Sequence, residues 1–158
     1  MNALGHLPKL LNFSRLSLLM DTTQHLIYYS EDDPLMARMF ERIFRFSGFA
    51  VEIASDGDEA VNKLELLPRA PSIIVLDVMM PKRSGFEVLE YIKKNSKYKD
   101  VPVIMLSNLA GKEDAERAIA MGAQEYLIKS QYQPKEIVEK ITQIIDKTDG
   151  FGTQPQVS

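Results

Sequence analysis

The stretch from Ile73 to Gly85, Ile-Ile-Val-Leu-Asp-Val-Met-Met-Pro-Lys-Arg-Ser-Gly, limits the fold more than any other part of the chain. Four consecutive apolar residues, Ile73 to Leu76, lie between Pro71 and Pro81. An apolar run without polar alternation predicts a strand buried on both faces, as in the middle of a parallel sheet. Asp77 comes at its C-terminal end, where a carboxylate has no packing role. Capping does not explain it, because Pro81 follows four residues later and no helix starts there. Ligands of open α/β sheets bind at the carboxyl ends of the strands. Asp77 therefore marks the candidate site.

The rest of the chain alternates strand and helix around that stretch. Leu26–Ser30 reads as a first strand of β-favouring residues. Pro34 suits a first helical position, and Asp33 is expected to cap that helix rather than bind a ligand. Its apolar residues run from Met36 to Phe46, and Gly48 ends it. Val51–Ala54 is the second strand, followed by a helix carrying Ala60, Val61, Leu64 and Leu67 that stops near Pro68. Ser84 caps a third helix with Phe86, Val88, Leu89 and Ile92, ending in Lys93-Lys94 to match the helix dipole. Val101–Leu106 is a fourth strand, with a helix over residues 112–121 after it, ending at Gly122. Tyr126–Ile128 is a fifth strand, and Pro134 opens a last helix with Ile137, Ile141, Ile144 and Ile145 on one face. Five such repeats predict an α/β fold: a doubly wound, five-stranded parallel sheet with helices on both faces and right-handed crossovers.

Composition sets limits on chemistry. The 158 residues fit one domain with a real core, and there is no cysteine, which excludes disulfides, thiolate metal sites and cysteine nucleophiles. A net charge of −3 gives no electrostatic reason to expect nucleic-acid binding. No apolar run approaches the roughly 18 residues of a membrane span. Residues 25–148 are expected to form the domain. Residues 149–158, rich in glycine, proline and polar side chains, are expected to be a frayed tail. Residues 1–24 form an extension with a leucine stripe broken by Pro8, and no acid before Asp21. It lacks the roughly 7–15-residue apolar core of a signal peptide. A loose terminal extension, a short amphipathic helix touching a partner or membrane surface, and a natural start at Met20 are all consistent with it.

Four strands are followed by a polar residue of a particular kind: Glu31 and Asp32 after the first, Asp77 after the third, Ser107 after the fourth and Lys129 after the fifth. Parallel strands bring these groups to one edge. Three carboxylates there repel one another, which pushes at least one pKa up, and a divalent cation removes the conflict. Oxygen ligands without His or Cys favour Mg²⁺, or Mn²⁺, over zinc. A carboxylate beside such an ion can attack a phosphoryl group and become an acyl phosphate. The metal, an ammonium and a hydroxyl then take one phosphoryl oxygen each.

In this combination the chain resembles the receiver domain of two-component response regulators, over about Leu26 to Lys147. The resemblance rests on Glu31-Asp32, on Leu76-Asp77-Val78-Met79-Met80-Pro81 with Gly85 beyond, on Ser107, and on Tyr126-Leu127-Ile128-Lys129. It implies the strand order 2-1-3-4-5, the flavodoxin-like order of chemotaxis receivers. It makes Asp77 the phosphoacceptor, and Asp32, Asp77 and the backbone carbonyl of Met79 metal ligands, with Glu31 acting mostly through water. Lys129 becomes the phosphoryl contact, Ser107 the switch hydroxyl, and Tyr126 the aromatic that turns inward when Ser107 moves. It further implies a single-domain cytoplasmic regulator, not a turnover enzyme. A histidine kinase or phosphotransfer protein would supply the phosphoryl group. The output would be a protein contact through the fourth helix, fifth strand and fifth helix.

Two departures stand out. Lys129 is followed by Ser130 where the family has a proline, commonly in a cis bond. A non-proline cis bond costs about 3 kcal/mol, which favours a trans peptide here. Asn108 occupies a position where smaller residues are commoner. A receiver-like module that is never phosphorylated is the alternative. A phosphohydrolase would need a second acid to orient water, which Met79 and Leu109 cannot supply.

Overall fold

Asp77 is carried by a strand with no exposed side, and the fold follows from how that strand is covered. The computed structural model describes residues 24–150; the expectations for residues 1–23 and 151–158 lie outside them. The elements are β1 (Leu26–Ser30), α1 (Pro34–Phe46), β2 (Ala50–Ala54), α2 (Gly57–Leu66), β3 (Ile73–Leu76), α3 (Gly85–Lys94), β4 (Val103–Ser107), α4 (Lys112–Ala120), β5 (Glu125–Ile128) and α5 (Pro134–Gly150). A single 3₁₀ turn, Lys129–Gln131, lies between β5 and α5. All pairings are parallel, in the order β2-β1-β3-β4-β5. This is the fold class and order expected.

Alternation along the strands divides the core in two. Tyr28, Ile74, Leu76, Val103 and Met105 face α2 and α3. Ile27, Tyr29, Ile73, Val75, Ile104 and Leu106 face α1 and α5. Every β3 residue is fully buried, as a central parallel strand requires. Local signals behave as read. Asp33 Oδ1 accepts from the amides of Leu35 (2.8 Å) and Met36 (3.2 Å). Ser84 and Glu87 form a reciprocal capping box on α3. Gly48 and Gly122 adopt positive φ after α1 and α4.

The differences lie at element ends. β4 starts at Val103 rather than Val101, because Pro102 has no amide to donate and the Val101 amide closes a turn onto the Tyr98 carbonyl. α5 runs to Gly150 instead of fraying from Asp149: Thr148 Oγ1 donates to the Ile144 carbonyl, and Asp149 Oδ2 lies 3.2 Å from His25 Nε2. Gln24, assigned to the extension, is tied to the domain, its Nε2 donating to the Gly48 carbonyl at 3.0 Å.

Candidate functional site

The register explains how distant residues converge. Ser30 lies opposite Leu76, and Leu76 opposite Met105, so Glu31, Asp77 and Ser107 sit near one level of the sheet. Ser107 in turn lies opposite Ile128, which puts Lys129 just beyond. The Asp77 amide donates to the Ser30 carbonyl at 3.0 Å, extending the ladder by one residue and fixing the aspartate at the rim.

Within this rim, Glu31, Asp32 and Asp77 each bring a carboxylate oxygen to within 4.8 Å of the others. Asp32 is exposed, whereas the side chains of Glu31 and Asp77 are nearly buried. Lys129 Nζ pairs with Glu31 Oε2 and, at 3.0 Å, with Asp77 Oδ2. Burial raises the Glu31 pKa, and the Asp77 charge adds to the rise; the Lys129 hydrogen bond opposes it without cancelling it. For Lys129, burial alone would lower the pKa. The Glu31 hydrogen bond and the Asp77 and Glu31 charges outweigh burial and hold the ammonium above its ordinary value.

The donor set fits a small hard cation. Ligand oxygens of octahedral Mg²⁺ stand about 2.1 Å from the metal, hence about 3–4.2 Å from one another. The observed spread is within reach of that with a small closure. When all are ionised, three carboxylates against one ammonium leave two negative charges, and exposed Asp32 keeps one side open to water.

Glycine is required where the loop after Asp77 folds back. A Cβ on Gly85 would lie 2.1 Å from the Asp77 carbonyl oxygen, and one on Gly57 would lie 2.1 Å from that of Arg83. The same loop is braced from the start of α2 by Lys82 on the capping Asp56 (3.0 Å) and Arg83 on Asp58 (2.8 Å). Met79 sits in it, its amide donating to Asp77 Oδ1 at 3.2 Å and its side chain exposed.

The model of the response regulator receiver domain matches residues 27–142. This chain belongs to that family. Among curated proteins, this receiver domain is 34% identical over 115 residues to the phosphate regulon transcriptional regulatory protein PhoB of Escherichia coli, covering 73% of the chain and 49% of PhoB. It is 32% identical over 127 residues to the probable transcriptional regulator ycf27 of Guillardia theta, covering 80% and 48%. The chain thus spans about half the length of the curated relatives it matches. Among solved structures, it superposes on a CheY-like receiver domain protein from Methanospirillum hungatei with a TM-score of 0.73 at 26% identity, covering 80% of the chain and 98% of that one. Against the chemotaxis response regulator CheY4 of Vibrio cholerae the TM-score is 0.70 at 26% identity, with 77% and 98% covered.

In this receiver domain the acids and Lys129 come together as the sequence suggested. The Lys129–Ser130 peptide is trans, since the described residues contain no cis bond, and Lys129 still reaches both acids. Ser107 and Tyr126 are joined through the backbone of one residue: the Leu109 amide donates to Ser107 Oγ at 3.0 Å, and Tyr126 Oη donates to the Leu109 carbonyl at 3.0 Å. Sequence reasoning missed Tyr29, whose hydroxyl donates to Glu31 Oε2 at 3.0 Å. The signal was available, because residues i and i+2 of a strand share a face. It also missed the Asp56–Lys82 brace, which joins residues far apart in sequence and has no local signature.

Proposed function

We propose that Asp77 accepts a phosphoryl group from a histidine kinase or phosphotransfer protein in a Mg²⁺-dependent reaction, and that this switches a protein-binding face of α4, β5 and α5. The observation that carries the reading is the buried Lys129 ammonium, paired with Asp77 inside a three-carboxylate pocket. Glu31, Asp32, Asp77 and the Met79 carbonyl would hold Mg²⁺, which supplies positive charge for a phosphoryl oxygen that the acids alone would repel.

A carboxylate needs no base to act as nucleophile. An Asp77 oxygen forms a bond to phosphorus, the phosphorus–nitrogen bond of a phosphohistidine breaks, and the imidazole leaves with the electron pair and takes a proton from water. Lys129, held charged by its neighbours, stabilises the negative charge on the transferred group. Glu31 is immobilised by Tyr29, the Asp33 amide and Lys129, and so holds that lysine in place.

A new phosphoryl oxygen at Asp77 attracts the Ser107 hydroxyl as a donor. Movement of Ser107 shifts the Leu109 peptide, and the Tyr126 hydroxyl follows because it is bonded to the Leu109 carbonyl. Tyr126 also lines a groove with Ala115, Ile119 and Tyr132. Ile119 is half exposed, so the groove presents apolar surface to a partner protein. Such a switch shifts a pre-existing equilibrium rather than building a new state. The reading places the domain in the cytoplasm, without nucleic-acid contact through these residues; among the described residues no helix is long and apolar enough to cross a membrane. The test is incubation with a small phosphodonor and Mg²⁺. An acid-labile phosphate is expected in the parent and not in Asp77→Asn; its absence from both would sink the proposal.

A further inference from the structure

Lys82 stands in a backbone conformation that ordinarily belongs to glycine. Its φ is 69°, and no other non-glycine residue among the described residues has a positive φ. The Arg83 amide donates to the Pro81 carbonyl at 2.8 Å, which closes a γ-turn of the strained hand around Lys82. A glycine would adopt this turn freely, whereas a lysine disfavours it. Such strain persists only where the surroundings over-determine it, and it clusters at ligand sites.

The surroundings here are the cap and first turn of α2. Lys82 Nζ pairs with Asp56 Oδ2 at 3.0 Å, and Arg83 Nε with Asp58 Oδ1 at 2.8 Å. Between them the Gly57 amide donates to the Pro81 carbonyl at 3.2 Å, so that one carbonyl accepts from two amides. Asp56 is not free to swing away with Lys82, because its other oxygen, Oδ1, accepts from the Glu59 amide at 2.8 Å and caps α2. That helix is anchored by Ala60, Val61 and Leu64, all buried in the core. The γ-turn is therefore pinned to a core element and not to another loop.

What the turn controls is the loop from Asp77 to Gly85. The Met79 amide donates to Asp77 Oδ1 at 3.2 Å, and the Gly85 amide donates to the Val78 carbonyl at 2.9 Å, closing the loop on itself. The Met79 carbonyl lies within it, three residues before Lys82. We infer that Lys82 is a positioning residue: its ion pair with Asp56 holds the strained turn, and the turn holds the Met79 carbonyl where it completes the oxygen set for Mg²⁺. This rests on the reading of Glu31, Asp32, Asp77 and Met79 as the metal site. Lys82 is itself a cation, so its removal would tighten Mg²⁺ binding if it acted through space alone. Loss of positioning has the opposite sign.

The test is calorimetric titration of the full chain with Mg²⁺ alone, without phosphodonor. Lys82→Ala leaves a left-handed residue without its ion pair. It is expected to weaken Mg²⁺ binding at least roughly threefold, short of the tenfold or more that loss of a group bonded directly to a metal ligand costs. Lys82→Arg keeps the charge and the reach to Asp56, and is expected to bind within about twofold of the parent. Thermal unfolding in Mg²⁺-free buffer shows that each variant is folded at the titration temperature. A merely structural brace would lower that melting midpoint in Lys82→Ala and leave the Mg²⁺ affinity unchanged. Unchanged or tighter binding by Lys82→Ala overturns the inference alone, as does binding by Lys82→Arg as weak as that of Lys82→Ala. A parent that binds no Mg²⁺ overturns the metal site, and the inference with it.

Discussion

Replacing Lys129 with Met keeps an unbranched side chain, one atom shorter, and removes its charge from a site where only 5% of the side chain is exposed. Glu31 and Asp77 then share a buried rim without their cation. Breaking a buried ion pair from one side costs about 3–5 kcal/mol, and the lower end applies here, because Glu31 can take up a proton and keeps its bonds to Tyr29 and the Asp33 amide. For a domain of this size, about 3 kcal/mol lowers Tm by about 10 °C. The pH dependence is the sharper test. Glu31 already has a folded-state pKa above its ordinary 4.5, so its favourable contribution is present at low pH and is lost as pH rises through the folded value. Without Lys129, which lowers that value, the window extends towards neutrality. Lys129→Met should therefore cost most near pH 8 and least near pH 5.5, with a slope no steeper than about 1.4 kcal/mol per pH unit for one proton. The parent's Lys129 adds a second window of the same sign at alkaline pH: its raised pKa gives stability that is present below its ordinary 10.5 and lost as pH rises through the folded value, and the variant should lack that alkaline loss. Denaturant unfolding without Mg²⁺ at several pH values measures both effects. Adding Glu31→Gln to Lys129→Met should recover more than half of the loss at pH 8. A penalty independent of pH, or no rescue by the second substitution, would refute the reasoning.

Gly85→Ala drives a methyl group into the Asp77 carbonyl, so it should destabilise by about 2 kcal/mol or more and weaken Mg²⁺ binding together, both measurable by melting with and without the ion. Asp33→Ala removes the acceptor of two α1 amides and should cost about 1 kcal/mol in equilibrium unfolding, with phosphoryl acceptance retained. Met79 and Leu109 lie in the loops after Asp77 and Ser107, each two residues beyond, with side chains that cannot orient water. Met79→Asn with Leu109→Glu should speed loss of the phosphoryl group about tenfold or more, and an unchanged decay rate would contradict that role.

Much of the fold could be read directly because β3 is apolar at every position and each neighbouring strand ends in a chemically distinct residue. Asp77, Asp32 and Lys129 were legible for that reason: parallel strands turn sequence order into a spatial edge. Boundaries were harder, since Pro102 and Asp149 act through what their neighbours bond, not through local preference. The Glu31–Lys129 pair was hidden by a choice between two partners for one carboxylate, and only the Tyr29 hydroxyl and the Asp33 amide fix its direction. Exposure of Leu35 and Phe46 was equally unreadable. Their spacing is helical, but which side of α1 meets the sheet depends on the tertiary arrangement.

Borohydride reduction of the chain after treatment with phosphodonor and Mg²⁺ converts an acyl-phosphorylated aspartate to homoserine, which peptide mass spectrometry locates. The account predicts homoserine at position 77 alone, and none when Mg²⁺ is withheld. Conversion at Asp32 or elsewhere instead, or none under any condition, would contradict it.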